Sequence, residues 1–262
     1  MKKTFILSMA TALLIAGCST VPLTGRRQLN IVPDAQVMPE SAASYAEVVK
    51  AGPLSSNGQQ TQMVKRAGQR ISAAVEQYFK ERGQSDVLDG FAWEFNLIDE
   101  DTPNAWCMPG GKVAFYTGIL PYTQDETGIA VVMGHEIAHA VARHSNERIS
   151  LQMLQQGGGA FLSMFTSESD YHAALMQAYG LGSQIGAILP YSRAHESEAD
   201  RMGLIFMAMA GYNPEAAVGF WQRMAAAGGG KPPEFLSTHP SDNTRVQKLR
   251  EHMPEALEYY RP

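Results

Sequence analysis

Apolar residues recur at helical spacing along most of this chain, and that periodicity predicts a mainly helical fold. Ile129, Val132, Met133, Ile137, Ala140 and Val141 follow one another at intervals that keep to one face, so a long, partly buried helix is expected up to about Arg148. Thr123 and Glu126 have the spacing of a capping box at its start. Earlier helices are expected at 40–50 and 61–82, separated by the breaker run Gly52-Pro53-Leu54-Ser55-Ser56-Asn57-Gly58. Later ones are expected at 191–210, capped at Ser192 and stopped by Gly211-Tyr212-Asn213-Pro214, at 215–226 and at about 244–252. Period-two alternation interrupts this pattern. Phe91, Trp93, Phe95 and Leu97 would share one face of a strand at 91–98, and residues 104–108 and 112–116 flank Pro109-Gly110-Gly111 as a hairpin. The fold class expected is therefore α+β, mainly helical with a small antiparallel sheet. Residues 151–186 are rich in Gly, Met, Leu and Ala with weak periodicity, which fits either packed helices touching at glycines or a mobile cover over a groove.

The long helix carries His135-Glu136-Ile137-Ala138-His139. Residues i and i+4 are separated by about 40° around a helix axis and one turn along it, so both imidazoles can reach one ion while Glu136 stays beside them as a general base. The plainer alternative is two core histidines satisfied by hydrogen bonds, but it leaves a carboxylate buried among apolar residues without a partner. A hydrolytic zinc site takes three protein ligands and keeps one position open, so a third ligand must come from elsewhere. Ala142 and Ser145 stand where Gly and His would extend the motif, and His144 lies on the wrong face. Candidates remain between Ser192 and Asp200. There Glu196 and Asp200 are i, i+4, which suits one carboxylate on the metal and the other behind it, holding a ligating His through its second nitrogen. Glu198 is expected to point away into solvent, and His172, His195 and His252 read as ordinary surface or packing residues. A mononuclear iron site takes the same ligand types but has no use for Glu136.

Taken together, His135-Glu136-x-x-His139 followed by Glu196-x-x-x-Asp200, inside Tyr191-Ser192-Arg193 to Gly203, resembles the M48 family of zinc metallopeptidases over about residues 60–252. The likeness is greatest to its small periplasmic lipoprotein members. It implies a gluzincin domain with one Zn2+ per chain held by His135, His139 and Glu196, and with Asp200 behind the ligands. His239-Pro240 and Arg245 match a His-Pro pair followed six residues later by Arg. This implies that His239, with Arg245, stabilises the oxyanion, with a resting state in which His239 fills the fourth zinc position as the variant. Asn104-Ala105 to Pro109-Gly110-Gly111 resembles the family's active-site edge strand, which implies that Asn104, Ala105 and Trp106 receive an extended substrate by strand addition. The implied activity is that of an endopeptidase in which Glu136 takes the proton of a zinc-bound water, acting on exposed or misfolded envelope proteins. The rival is a chaperone-like lipoprotein with a structural metal, which needs four protein ligands where three are evident. Envelope assembly partners are compatible with the resemblance, but no helical repeat array is present to dock them.

Composition narrows the setting. With 45% hydrophobic and 18% charged residues the chain is ordinary for a folded domain, and its formal charge of −5 argues against nucleic acid as a partner. Residues 1–17 read as a secretory signal, with Lys2-Lys3 followed by the apolar run from Phe5 to Ala16. Leu14-Ile15-Ala16-Gly17-Cys18 resembles a lipobox, so Cys18 is the expected lipidation site, and Ser19 after it suits an outer-membrane address facing the periplasm. Residues 18–39 are expected as a tether without chemistry and 40–262 as the catalytic domain. Once Cys18 is lipidated Cys107 has no intrachain partner, and its place in the strand at 104–108 predicts burial.

Overall fold

The computed structural model describes residues 18–167, 169, 171–184, 189–227, 239 and 244–262; the expected signal at 1–17, the stretch 228–233 and Pro240 lie outside the described residues. Helix α1 spans Asp34–Ala51 and α2 spans Gly58–Glu81; α3 is the single turn Leu120–Thr123. The motif helix α4 is Glu126–Val141, followed by α5 His144–Thr166, α6 His172–Ser183, α7 Leu189–Met209, α8 Ala216–Ala226 and α9 Arg245–Tyr259. Apart from its ends, α4 is buried on all sides, including Ile129, Val132, Met133, Ile137 and Val141. A helix apolar all round must be a central one, and α2, α7, α8 and the sheet cover it.

Four local expectations change here. The cap of α4 is Asp125, whose side chain accepts from Gly128 N at 2.8 Å, and not Thr123. The helix stops at Val141 because Arg143 takes a left-handed backbone (φ 56°) and its guanidinium is drawn off to Asp34 Oδ2 at 2.6 Å and Val87 O at 3.3 Å. The apolar periodicity continues across this break, so it cannot be read from spacing. Ser192 lies inside α7, which begins at Leu189, and α9 runs beyond the expected His252 to Tyr259 because Met253 and Ala256 still face the core.

Strand β3 (Glu94–Ile98), β4 (Ala105–Met108) and β5 (Lys112–Tyr116) form one sheet in the order β3-β5-β4. The expected hairpin is β4 against β5, turned by Gly110 and Gly111, both at positive φ that other residues rarely adopt. β3 pairs parallel to β5, so the sheet is mixed and not wholly antiparallel. The crossover from Ile98 to Ala105 carries the chain to the far side of β5 and leaves β4 as an edge strand. Phe95 and Leu97 are buried on the expected face, while Phe91 and Trp93 are half-buried. Helices α5 and α6 fold back on each other, with Tyr179 OH donating to Gln155 O at 2.9 Å beside Gly158 and Gly159. Phe161, Met164, Tyr171 and Leu181 nevertheless remain exposed on this hairpin.

The segment expected as a tether is folded onto the domain. The first two strands, β1 (Cys18–Thr20) and β2 (Arg27–Leu29), pair antiparallel; Val21 between them is fully buried, and α1 already begins at Asp34. Arg26 forks onto Glu147 of α5 (3.0 and 2.7 Å), Ser150 Oγ accepts from Ile31 N at 3.0 Å, and Asn146 Nδ2 donates to Val32 O at 3.2 Å. Burial alone would raise the Glu147 carboxyl, but hydrogen bonds from His195 and Arg26 hold it down at about 2.

The register of α4 against α7 is set by a backbone contact. A Cβ on Gly203 would lie 2.8 Å from His135 N, and one on Gly134 would lie 2.7 Å from Gly203 O. Gly203→Ala should therefore push the helices apart and destabilise by about 1 to 3 kcal/mol. Thermal melts should show a midpoint lowered by about 2 to 4 °C per kcal/mol; an unchanged midpoint would mean that the helices are not in contact there.

A second expectation concerns acid. Glu147 titrates at its ordinary 4.5 when unfolded and at about 2 when folded, so its contribution is fully present above 4.5 and disappears as pH falls through about 2. In metal-free protein, Glu147→Gln should flatten the fall in melting temperature across that window, while an unaltered slope would assign acid sensitivity to other groups.

Candidate metal centre

Four donor atoms converge where α4 faces α7. His135 Nε2 and His139 Nε2 come from α4, Glu196 from α7, and His239 Nδ1 from the stretch before α9; all lie within 4.8 Å of one another. His135 Nε2 is 3.1 Å from His139 Nε2 and 3.1 Å from His239 Nδ1, and the Glu196 oxygens lie 3.2 Å from His239 Nδ1 and 3.4 Å from the other two nitrogens. A tetrahedral zinc ion with ligand bonds of about 2.0 to 2.1 Å has donors separated by about 3.3 to 3.4 Å. The spacing fits that ion.

The tautomers support the same assignment. His135 Nδ1 lies 3.0 Å from Asp200 Oδ1 and is the donor there, which leaves a lone pair on Nε2. Lone pairs of buried imidazoles and a carboxylate pointed at one spot repel unless a cation lies between them. Burial opposes the charge of Glu196, yet His139, His135 and His239 hold its carboxyl far below the usual range. Zinc, the metal that the resemblance implies, thus matches donor types, count and spacing.

Both residues named from the sequence for the oxyanion lie at the cluster itself. His239 turns Nδ1 into the cluster as a fourth donor, the position of the resting-state variant, and its Nε2 lies 3.4 Å from Glu136 Oε1. Arg245, expected beside it at the oxyanion, is buried with its guanidinium 3.3 Å over the Trp221 ring. It donates to Asp200 Oδ1 at 2.7 Å and to His239 O at 3.3 Å, and so supports the cluster from behind. Asp200 stands behind His135, with Oδ1 3.0 Å from its Nδ1. Glu136 is buried, which raises its carboxyl, and its Oε1 makes no hydrogen bond. A buried carboxyl oxygen without a hydrogen bond is costly and calls for a functional reason.

Glu136 opens into a cavity of about 310 Å³ that reaches Asn104, Ala105 and Trp106 as well as Glu196 and His239. One wall is thus the edge strand β4, whose outer side no described strand pairs. Asn104 Oδ1 accepts from Ala105 N at 2.9 Å and its own carbonyl accepts from Tyr116 N at 3.0 Å, so the residue caps the strand. Cys107 is half-buried on β4, and burial of its thiol pushes its pKa well up. Sequence reasoning missed a cluster beside this cavity. Glu198 is buried and not solvated, and His144, His195 and Glu147 are buried with it. Helical spacing rightly puts Glu198 on another face from Glu196; that face is covered by α5 and the amino-terminal arm, which spacing cannot reveal.

The comparisons agree with this geometry. The model of peptidase family M48 matches residues 60–253. The chain is 37% identical to the mitochondrial metalloendopeptidase OMA1 of Schizosaccharomyces pombe over 241 residues, which covers 90% of this chain and 66% of that relative. Identity to the Saccharomyces cerevisiae protein of the same name is 35% over 184 residues, covering 67% of this chain and 51% of that one. The beta-barrel assembly-enhancing protease of Yersinia pestis is 32% identical over 166 residues, 60% of this chain and 34% of that relative. The chain therefore spans less than two thirds of the length of these relatives. With its HExxH helix, its Glu196 and the match over 60–253, the chain belongs to peptidase family M48.

Proposed function

We propose that this protein is a zinc-dependent endopeptidase, anchored by lipid at Cys18 to the periplasmic face of a bacterial outer membrane, which cleaves exposed or misfolded envelope proteins. The observation that carries the catalytic half is the carboxyl of Glu136, buried beside the donor cluster in a cavity walled by an edge strand, with one oxygen that accepts no hydrogen bond and faces only the displaceable His239. When bound by His135, His139 and Glu196, zinc supplies Lewis-acid activation of water and of the scissile carbonyl. Glu136 takes the proton of the attacking water and delivers it to the leaving amine. Asp200 and Arg245 keep the His135 ring in place, and the backbone of Asn104 to Trp106 receives the substrate as an added strand, so side-chain selectivity is broad.

As described, the cluster is closed by His239, so turnover requires that this side chain withdraw and release both the fourth vertex and Glu136. The closed set of four donors is also what a structural metal in a chaperone-like binding protein would have. Glu136 separates the two readings, because a binder gains nothing from a buried carboxyl with an oxygen left without a hydrogen bond. The envelope setting draws on the lipobox-like run before Cys18, which is exposed at the start of β1, and on the likeness to the beta-barrel assembly-enhancing protease of Yersinia pestis. Among the described residues no helix is long and apolar enough to cross a membrane.

Glu136→Gln should keep stoichiometric zinc and lose cleavage of an unfolded test protein, Glu196→Ala should lose both, and His239→Ala should release zinc faster to a chelator. Cleavage that survives Glu136→Gln would sink the protease mechanism. For the anchor, Cys18→Ala expressed in a bacterial host should move from the outer-membrane fraction to the soluble periplasm, and retention in the membrane would count against a lipid tether.

A further inference from the structure

The two ligand imidazoles of α4 are each held from behind by a chain of the same kind. Behind His135 the chain runs from Nδ1 to Asp200 Oδ1 (3.0 Å) and on to the guanidinium of Arg245 (2.7 Å). Behind His139 it is one residue longer. His139 Nδ1 lies 2.7 Å from His144 Nδ1, His144 Nε2 lies 3.0 Å from Glu198 Oε2, and that oxygen accepts from Arg26 Nε at 2.8 Å. The hydroxyl of Thr24 donates to the other Glu198 oxygen. Both carboxylates are on α7, and each arginine comes from an end of the described chain.

The order of protons in this second chain is determined. A His139 that gives its Nε2 lone pair to an ion carries its proton on Nδ1 and donates it to His144 Nδ1. His144 then carries its own proton on Nε2 and donates it to Glu198, which must be an oriented, charged acceptor. Arg26 provides that orientation. Its Nε goes to Glu198 while its two terminal nitrogens fork onto Glu147 at 3.0 and 2.7 Å, so one planar group locks α5 to α7. Glu147 in turn receives His195 Nε2 at 2.8 Å, and the His195 ring stacks on His144 at 4.2 Å and 12°. His144 is thus fixed in plane as well as at both nitrogens.

We propose that Arg26 is a positioning residue of the metal centre, acting through Glu198 and His144 on the ring of His139. This rests on the zinc site set out above. The folded arm that begins at Cys18 is then part of what holds the ion, and displacing it loosens the His139 ligand.

The test uses the full chain in its zinc form and reads the rate at which a chelating dye removes zinc, together with the visible spectrum of the cobalt-substituted protein. Removing such outer partners typically costs about 10- to 100-fold in metal affinity. Arg26→Ala should speed zinc release by about tenfold, at the lower end of that range because the effect is relayed through two residues, and should shift the cobalt bands. Arg26→Lys should fall between, since one ammonium can reach Glu198 but cannot fork across both carboxylates. Asn146→Ala, which cuts the contacts to Val32 O at 3.2 Å and Asp34 Oδ1 at 2.9 Å, should lower the melting temperature with wild-type zinc release. If Arg26→Ala gives no folded protein, Glu198→Gln carries the test with the same expected direction. Wild-type release and spectrum in Arg26→Ala, or in Glu198→Gln where that stands in, would make Arg26 a structural clamp and overturn the proposal. His139→Ala distinguishes the two levels: zinc retained at full stoichiometry there overturns the metal site itself, whereas zinc lost there but unaffected by Arg26→Ala overturns the positioning role alone.

Discussion

Gly134 and Gly203 touch through their backbones, and the site depends on that contact. With side chains at either position α4 and α7 would stand further apart, and Glu196 would no longer meet the ring nitrogens of His135 and His139. The burial of α4 on every side makes the contact stiff, since interiors packed at crystal density transmit displacement and do not absorb it. Stiffness matters because the cluster it assembles is electrostatically unfavourable by itself. Lone pairs and a carboxylate are forced together, so the ion returns in binding energy what the apo fold lacks, and folding and metal affinity are coupled.

Helix α7 carries three carboxylates, Glu196, Glu198 and Asp200, and all three are buried. Burying a charge is expensive unless it is both paired and hydrogen-bonded. Each finds its own solution: Glu196 in the donor cluster, Asp200 with His135 and Arg245, and Glu198 with His144, Thr24 and Arg26. The cations come from remote parts of the chain, one from the amino-terminal arm and one from the first turn of α9. A helix with so many buried charges is stable only in the completed tertiary structure, which explains why the arm is folded where its Pro- and Gly-containing sequence suggests a tether.

Closure of the donor set by His239 and the edge of β4 that no described strand pairs pull in opposite directions. A sealed metal suits storage or structure, whereas an open strand edge beside a buried carboxylate suits an incoming peptide. One arrangement accommodates both if His239 is displaceable, because its Nδ1 blocks the vertex while its Nε2 occupies the approach to Glu136.

Local periodicity is sufficient for much of this molecule. The 3.6-residue repeat places His135 and His139 on one face with Glu136 beside them, and it puts Glu196 and Asp200 one turn apart on α7. The two-residue repeat and Pro109-Gly110-Gly111 mark the hairpin that ends in an edge strand, since only glycine suits the positive φ at 110 and 111. These features depend on neighbours within a few residues and so can be read from the chain alone. Four others depend on which surfaces meet. The left-handed Arg143 turns His144 back onto His139, the arm and α5 bury Glu198, β3 joins β5 in parallel, and His239 enters the cluster. The Arg26 to Glu198 contact joins residues 172 apart. No spacing rule connects positions so distant, because their meeting is decided by the packing of whole helices and by the need of each buried charge for a partner.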